Sequence, residues 1–144
     1  MNEEIADLLY EIINERDVDK FDLIYDYMMQ LADLTREEEV ELRIGSVYSN
    51  TPQFIKKMVN TVSDFLERIG YERKIDDINF TKEDIERIIE EKDIRYFADI
   101  PDQLRRLGCD DNSILNNLKN NNLYNGRAFV DSTVSLVRKA LEDI

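Results

Sequence analysis

A chain of 144 residues with 42% apolar side chains is about one globular domain, with too much apolar surface for a disordered chain. Its net charge of −13 has the wrong sign for long-range attraction to phosphate backbones or anionic membranes, so direct nucleic-acid and membrane-surface binding are disfavoured. No apolar run approaches the roughly 20 residues that span a bilayer, and the acidic start Met1-Asn2-Glu3-Glu4 is unlike a secretory leader; a soluble, cytoplasmic protein is expected.

In chain order, Asn2 is placed to cap a first helix whose apolar positions Ile5, Leu8, Leu9, Ile12 and Ile13 share one helical face. A second helix is expected from about Lys20 to Asp33, burying Phe21, Ile24, Met28 and Leu31. Thr35 followed three residues later by Glu38 forms a capping box for a third helix reaching about Tyr48. Thr51-Pro52 opens a fourth, with the proline where its missing N–H costs nothing. That helix carries Phe54, Ile55, Met58, Val59, Val62, Phe65, Leu66 and Ile69 inward and ends at Gly70. Residues 71–79 are poor in Gly, Ser and Pro and hold Tyr71, Ile75 and Ile78, so they are expected to pack rather than to act as a hinge.

Phe80-Thr81 with Asp84 and Ile85 supplies a cap and hydrophobic staple for the next helix. The helix after that should begin near Asp99, with Pro101 in its opening turn, and break at Gly108, Asp110 and Asp111. A short helix around Ile114, Leu115 and Leu118, a turn at Asn125-Gly126 and a last helix with Phe129, Val134, Val137, Leu141 and Ile144 inward complete the plan. Only Ile75 to Phe80 shows even weak strand alternation.

The chain also resembles itself. Shifted by 76 positions, Ile12, Ile13, Glu15, Asp17, Phe21, Ile24, Asp26 and Leu31 meet identical residues between Ile88 and Leu107, and Tyr48 meets Tyr124. After a one-residue shortening, Phe54, Val59, Val62, Leu66, Glu67 and Ile69 meet Phe129, Val134, Val137, Leu141, Glu142 and Ile144. A fixed offset that carries core-type residues is the mark of a repeated unit. The expected fold is all-α: two tandem copies of a roughly 65-residue four-helix unit, packed into one compact helical body because a core of that size supplies little stability alone. The copies are residues 1–70 and 80–144, joined by the packed connector 71–79.

The toolkit for enzyme chemistry is poor, and no catalytic residue, cofactor or metal site is assigned. There is no histidine, the side chain most used for proton transfer near neutral pH. Cys109, the single cysteine, permits no intrachain disulfide and reads as a small buried residue at a helix junction. Gly45, Gly70, Gly108 and Gly126 lie apart, at expected helix ends or turns, so no phosphate-cradling loop can be written. The crowd of Asn112, Asn116, Asn117, Asn120, Asn121, Asn122 and Asn125 reads as a frayed helix and loop satisfying backbone groups, or as a polar contact surface.

The functional signal is an acidic stripe. Asp19, Asp22, Asp26, Met29 and Asp33 share the outer face of the expected second helix, and Glu37, Glu38, Glu39 and Glu41 extend the field. The counterparts of the first five in the second copy, Arg95, Ala98, Asp102, Arg105 and Cys109, have lost the uniform negative sign, which only Asp102 keeps, while the inward positions are kept. Like charges three or four apart on a helix cost a few tenths of a kcal/mol per pair, so the stripe does not help folding.

The expected function is a non-enzymatic protein-binding module, an adaptor, inhibitor or regulator. It would dock a basic partner protein through Asp19, Asp22, Asp26, Met29, Asp33, Glu37, Glu38 and Glu41, with Tyr25 or Tyr27 as further apolar anchors. The alternatives are an acidic mimic that blocks a nucleic-acid-binding enzyme, or a helix-turn-helix in the second copy using Arg105, Arg106, Lys119 and Arg127. The bland alternative is a stripe that only keeps the protein soluble. A homo-oligomer is compatible with all of these.

Overall fold

A computed structural model of the chain describes the backbone of residues 1–47 and 51–144, and the side chains of all of these but 44–47. Among the described residues the protein is all-helical and no strand occurs. The expected end of the third helix at Tyr48, and the match of Tyr48 with Tyr124, lie outside the described residues. The chain divides into two compact units, Met1–Asn50 with Lys57–Asp76, and Thr51–Lys56 with Asp77–Ile144. No helix among the described residues is long and apolar enough to cross a membrane.

In the first unit, α1 (Glu3–Asn14) starts where Asn2 Oδ1 accepts the N–H groups of Glu4 and Ile5, at 3.1 and 3.3 Å. It buries Ala6, Leu9, Ile12 and Ile13 on one face. Its end is held by two paired hydrogen bonds, Arg16 N–H to the Ile13 carbonyl and Asp17 N–H to the Ile12 carbonyl. That closure puts Arg16 at φ 49°, a left-handed conformation usually given to glycine.

The chain leaves this corner as a 3-10 segment, Val18–Leu23, and only then becomes α2 (Ile24–Leu31). The single helix expected from Lys20 to Asp33 is corrected accordingly, since the reversal at Arg16 leads into three-residue turns. Ile24 and Met28 are buried, whereas Phe21 and Leu31 are half-buried. Helix α3 (Arg36–Val47) opens on the Thr35–Glu38 capping box, Thr35 N–H to Glu38 Oε1 at 2.7 Å and Glu38 N–H to Thr35 Oγ1 at 3.1 Å. Gly45, expected at a helix end, lies inside α3.

Helix α4 (Pro52–Arg68) has Thr51 as its cap, with Oγ1 accepting from Phe54 N–H at 3.1 Å. Its residues from Lys57 onward belong to the first unit, where Met58, Val59, Val62, Phe65 and Leu66 are buried. Gly70 at φ 89° closes its end by the same pair of backbone bonds seen at Arg16. Beyond it Tyr71 is buried, and its hydroxyl hydrogen-bonds Asp7 of α1. Arg73 lies over the Tyr10 ring, 4.0 Å from its centroid, so this stretch of the connector packs on α1.

The second unit repeats several local details of the first. Helix α5 (Lys82–Glu90) opens on a complete Thr81–Asp84 capping box and buries Ile85, Ile88 and Ile89. It closes with Lys92 N–H on the Ile89 carbonyl and Asp93 N–H on the Ile88 carbonyl, placing Lys92 at φ 52°. A 3-10 segment, Ile94–Asp99, then leads into α6 (Ile100–Arg106), which carries Pro101 in its opening turn and ends through Gly108 at φ 110°.

Helix α7 (Asn112–Asn121) is capped by Asp111, and α8 (Arg127–Glu142) starts at Gly126. Helix α8 packs on α5 and α7, and its Val134, Val137 and Leu141 join Ile85, Phe97, Leu104 and Leu115 in one core. Cys109 is buried in that cluster. Ile144, expected inward, is exposed because α8 ends before it.

Two predictions follow from these local forces. Lys92→Gly should raise stability by roughly 0.5–1 kcal/mol in urea unfolding, since left-handed strain outweighs the exposed Lys92–Asp131 ion pair at 3.2 Å. For Tyr71, burial and then the Asp7 carboxylate push the phenol up to about 12 from an ordinary 10.0. The folded state thus holds this proton more tightly than the unfolded chain, and the resulting stability is full below about pH 10 and fades as the pH rises toward 12. Tyr71→Phe should lose about 1 kcal/mol at about pH 9 and less at about pH 11, measured by denaturation at both values.

Candidate functional site

The corner after α1 decides where the acidic side chains go. Once Ile24 and Met28 point inward, the opposite side of the 3-10 segment and α2 is left to solvent. Asp19 and Asp22 lie on the 3-10 segment, and Asp26 lies in the first turn of α2, where the partial positive charge of a helix N-terminus favours a carboxylate. All three are exposed, and their carboxylates enter no ion pair or hydrogen bond among the described residues.

Met29 is one turn beyond Tyr25 on the same face, and the two are 52% and 40% exposed. Tyr27, the other candidate anchor, is half-buried. The structure therefore brings Asp22, Tyr25, Asp26 and Met29 together as one surface. Asp33 is exposed but lies beyond the helix, because Ala32 is fully extended at φ −168° and ψ 164°.

The glutamates of α3 divide in two. Glu37 is exposed. Glu38 pairs with Arg68 at 2.8 Å, and Arg68 also donates to the Asp33 carbonyl at 3.0 Å. Burial opposes ionisation of Glu38, but the Thr35 N–H, the Arg68 guanidinium and the Thr35 hydroxyl outweigh it and hold its pKa below the ordinary value. Glu41 pairs with Lys57 at 2.7 Å. Glu38 and Glu41 thus tie α3 to α4, whereas Asp19, Asp22 and Asp26 have no such task.

In the second unit a corner of similar backbone form is covered. Ala98, Asp99 and Pro101 are buried there. The ammonium of Lys56, in the opening stretch of α4 that belongs to this unit, lies 3.8 Å from Asp99 Oδ1, 3.6 Å from Asp102 Oδ2 and 3.5 Å from the Ala98 carbonyl. Gln53 N–H donates to the Asn122 carbonyl at 3.0 Å, and Asn122 Nδ2 to the Phe97 carbonyl at 3.2 Å. Of these residues, Gln53, Lys56, Ala98, Pro101, Asp102 and Asn122 line a cleft of about 470 Å³.

Sequence reasoning did not find this cluster. Its one visible mark is that, 76 positions on from Asp22 and Tyr25, the sequence carries the small Ala98 and the apolar Pro101. The asparagine-rich stretch is a formed helix rather than a frayed one. Asn121 Nδ2 donates to Ser132 Oγ at 3.0 Å and Asn122 is buried, while Asn116, Asn117 and Asn120 stay exposed.

Most of the basic residues near this corner are engaged locally. Arg95 forms a two-pronged contact with Asp93 at 2.8 Å, Arg105 donates to Asn112 Oδ1 at 3.0 Å, and Arg106 bonds the Phe80 carbonyl. Among the described residues no group of three or more acidic or thiol side chains gathers closely enough to hold a metal ion. No family model matches the chain, and no curated protein or solved structure matches it significantly.

The Lys56 cluster is testable by itself. Lys56→Met would take this ammonium away from the Asp99 carboxylate, whose side chain is 9% exposed. The variant should lose roughly 2 kcal/mol of stability in urea unfolding, while Lys57→Met, an exposed neighbour, should lose under about 1 kcal/mol.

Proposed function

We propose that this chain is a duplicated helical unit serving as a non-enzymatic protein-binding module, an adaptor, inhibitor or regulator. It docks a basic partner through the acidic face of the 3-10 segment and α2. The duplication is supported by the two matching corners 76 residues apart. Each has a helix end closed through a left-handed basic residue, Arg16 or Lys92, then an aspartate, a 3-10 segment and a short helix.

One observation carries the docking role: Asp22 and Asp26 are exposed and unpaired among the described residues, and they flank Tyr25 and Met29, two large apolar side chains left wet one turn apart. Carboxylates that serve folding are paired, as Glu38 and Glu41 are. Unpaired ones beside apolar anchors have the composition of an interface, with charge for steering and approach and buried apolar area for residence. The absence of histidine and the wide spacing of the glycines underlie the non-enzymatic part of the proposal.

The test is affinity capture of partners from the native host with the wild-type chain and with Asp19→Lys/Asp22→Lys/Asp26→Lys. These positions are exposed, so the variant should keep its helical circular dichroism. Capture at low salt should fall at least about tenfold, the loss expected from converting several interfacial attractions into repulsions. Unchanged capture would mean that the stripe is only a solvated surface.

A further inference from the structure

The two corners offer an internal comparison of one backbone in two states of cover. Moving back 76 positions, Ala98, Asp99, Pro101 and Asp102 become Asp22, Leu23, Tyr25 and Asp26. The inward residues correspond as well: Ile24 to Ile100 and Met28 to Leu104, all four buried. The outward residues do not share a fate. Ala98, Asp99 and Pro101 are buried, with Lys56 on the first two and Gln53 bonded to Asn122 beside them, whereas Asp22, Leu23 and Tyr25 are exposed. The carboxylate that receives Lys56 at 3.6 Å, Asp102, is the counterpart of Asp26, which receives nothing among the described residues.

From this juxtaposition we infer that the open corner formed by Asp22, Tyr25 and Asp26 is a docking site for the opening turns of a lysine-bearing helix of another protein, seated as Lys56 is seated on Asp99 and Asp102. The inference rests on the protein-docking proposal and narrows its partner from any basic surface to one kind of element. Charge complementarity favours it twice. The open corner has two outward aspartates where the covered one has Ala98 and Asp102, and a helix N-terminus adds its own partial positive charge to the lysine. The apolar part of the contact is also present, because Tyr25 replaces the covered Pro101 and Met29 extends the surface by one turn.

A second copy of this chain is the weaker occupant. The opening of α8 corresponds to that of α4 at an offset of 75, and it carries Asp131 where α4 carries Lys56. Asp131 would meet Asp26 with like charge, and Lys56 itself is already engaged.

The experiment uses the full chain, isotope-labelled for amide NMR, and a peptide copying residues 50–69 as the lysine-bearing helix. The expected result is saturable shifts at Asp22, Tyr25, Asp26 and Met29. Affinity should fall roughly tenfold with a Lys56→Glu peptide, and by a similar factor with Asp22→Lys/Asp26→Lys protein. Absent shifts, shifts confined to Ala98–Asp102, or equal binding of the Lys56→Glu peptide would overturn the inference. So would a concentration-dependent dimer of the free chain that Asp26→Lys abolishes, which would assign the corner to a second copy. If the peptide fails while Asp22→Lys/Asp26→Lys still loses the host partner, the lysine-helix assignment falls and the docking proposal survives. If that variant keeps the host partner, both fall.

Discussion

The tight reversal after α1 and again after α5 is the constraint on which the rest depends. At each reversal two backbone N–H groups bond carbonyls from the last turn of the helix, and the cost is a non-glycine residue in left-handed conformation, Arg16 or Lys92. Glycine would fit the backbone more easily. A basic residue just past the C-terminal end of a helix is favoured by the helix dipole, which offsets part of the strain, and the Lys92 ammonium itself pairs with Asp131 at 3.2 Å. Because the next aspartate leads directly into 3-10 turns, the inward positions are fixed to a residue: Ile24 and Met28 in one unit, Ile100 and Leu104 in the other. Everything on the outer side is then free to be chosen for solvent, for cover or for a partner.

The two outer sides resolve that freedom in opposite ways. Around Asp99 a carboxylate is taken largely out of water, a step whose desolvation cost must be met by a nearby cation and by the backbone polar groups of the same corner. Such a cluster specifies where the opening of α4 sits more than it adds net stability. Around Asp22 and Asp26 no such cost is paid, since both carboxylates keep their hydration. Their mutual repulsion is a fraction of a kcal/mol, a minor burden for a domain stabilised by several kcal/mol. The first arrangement is committed and the second is available.

Most helix starts were legible in the sequence because capping is short-range chemistry. Asn2, Thr35 with Glu38, Thr51-Pro52, and Thr81 with Asp84 all satisfy N–H groups within three residues of themselves, and Gly70 and Gly108 supply left-handed ends. The 3-10 segments were not legible. Phe21, Ile24, Met28 and Leu31 fit an α-helical face, and a left-handed Arg or Lys leaves no mark in composition. The spacing carries α2 two residues too far for a related reason: Asp33 continues the acidic pattern although Ala32 has already left the helix.

For the candidate site, the sequence located the wet side of α2 but could not separate carboxylates by task. Glu38 and Glu41 carry the same charge as Asp22 and Asp26, and only their distances to Arg68 and Lys57 reveal that they hold α3 to α4. The Lys56 cluster depends on residues more than 40 positions apart, beyond the reach of any periodicity.

The pairing of roles within one face follows from how differently charge and apolar area act on an encounter. Exposed aspartates attract a basic segment over about a Debye length, near 8 Å at physiological salt, but contribute little once water and ions compete for them. Tyr25 and Met29 do nothing at that range. Once they are covered they contribute through the area removed from water, and a tyrosine does so with few rotamers to lose. Neither set alone makes a selective site: carboxylates without anchors would hold any polycation loosely, and an exposed tyrosine and methionine without carboxylates would invite unspecific association. On the proposed docking reading, the aspartates beside the anchors would also oppose pairing with the same face of another copy, since two such faces repel each other while a lysine-bearing one does not.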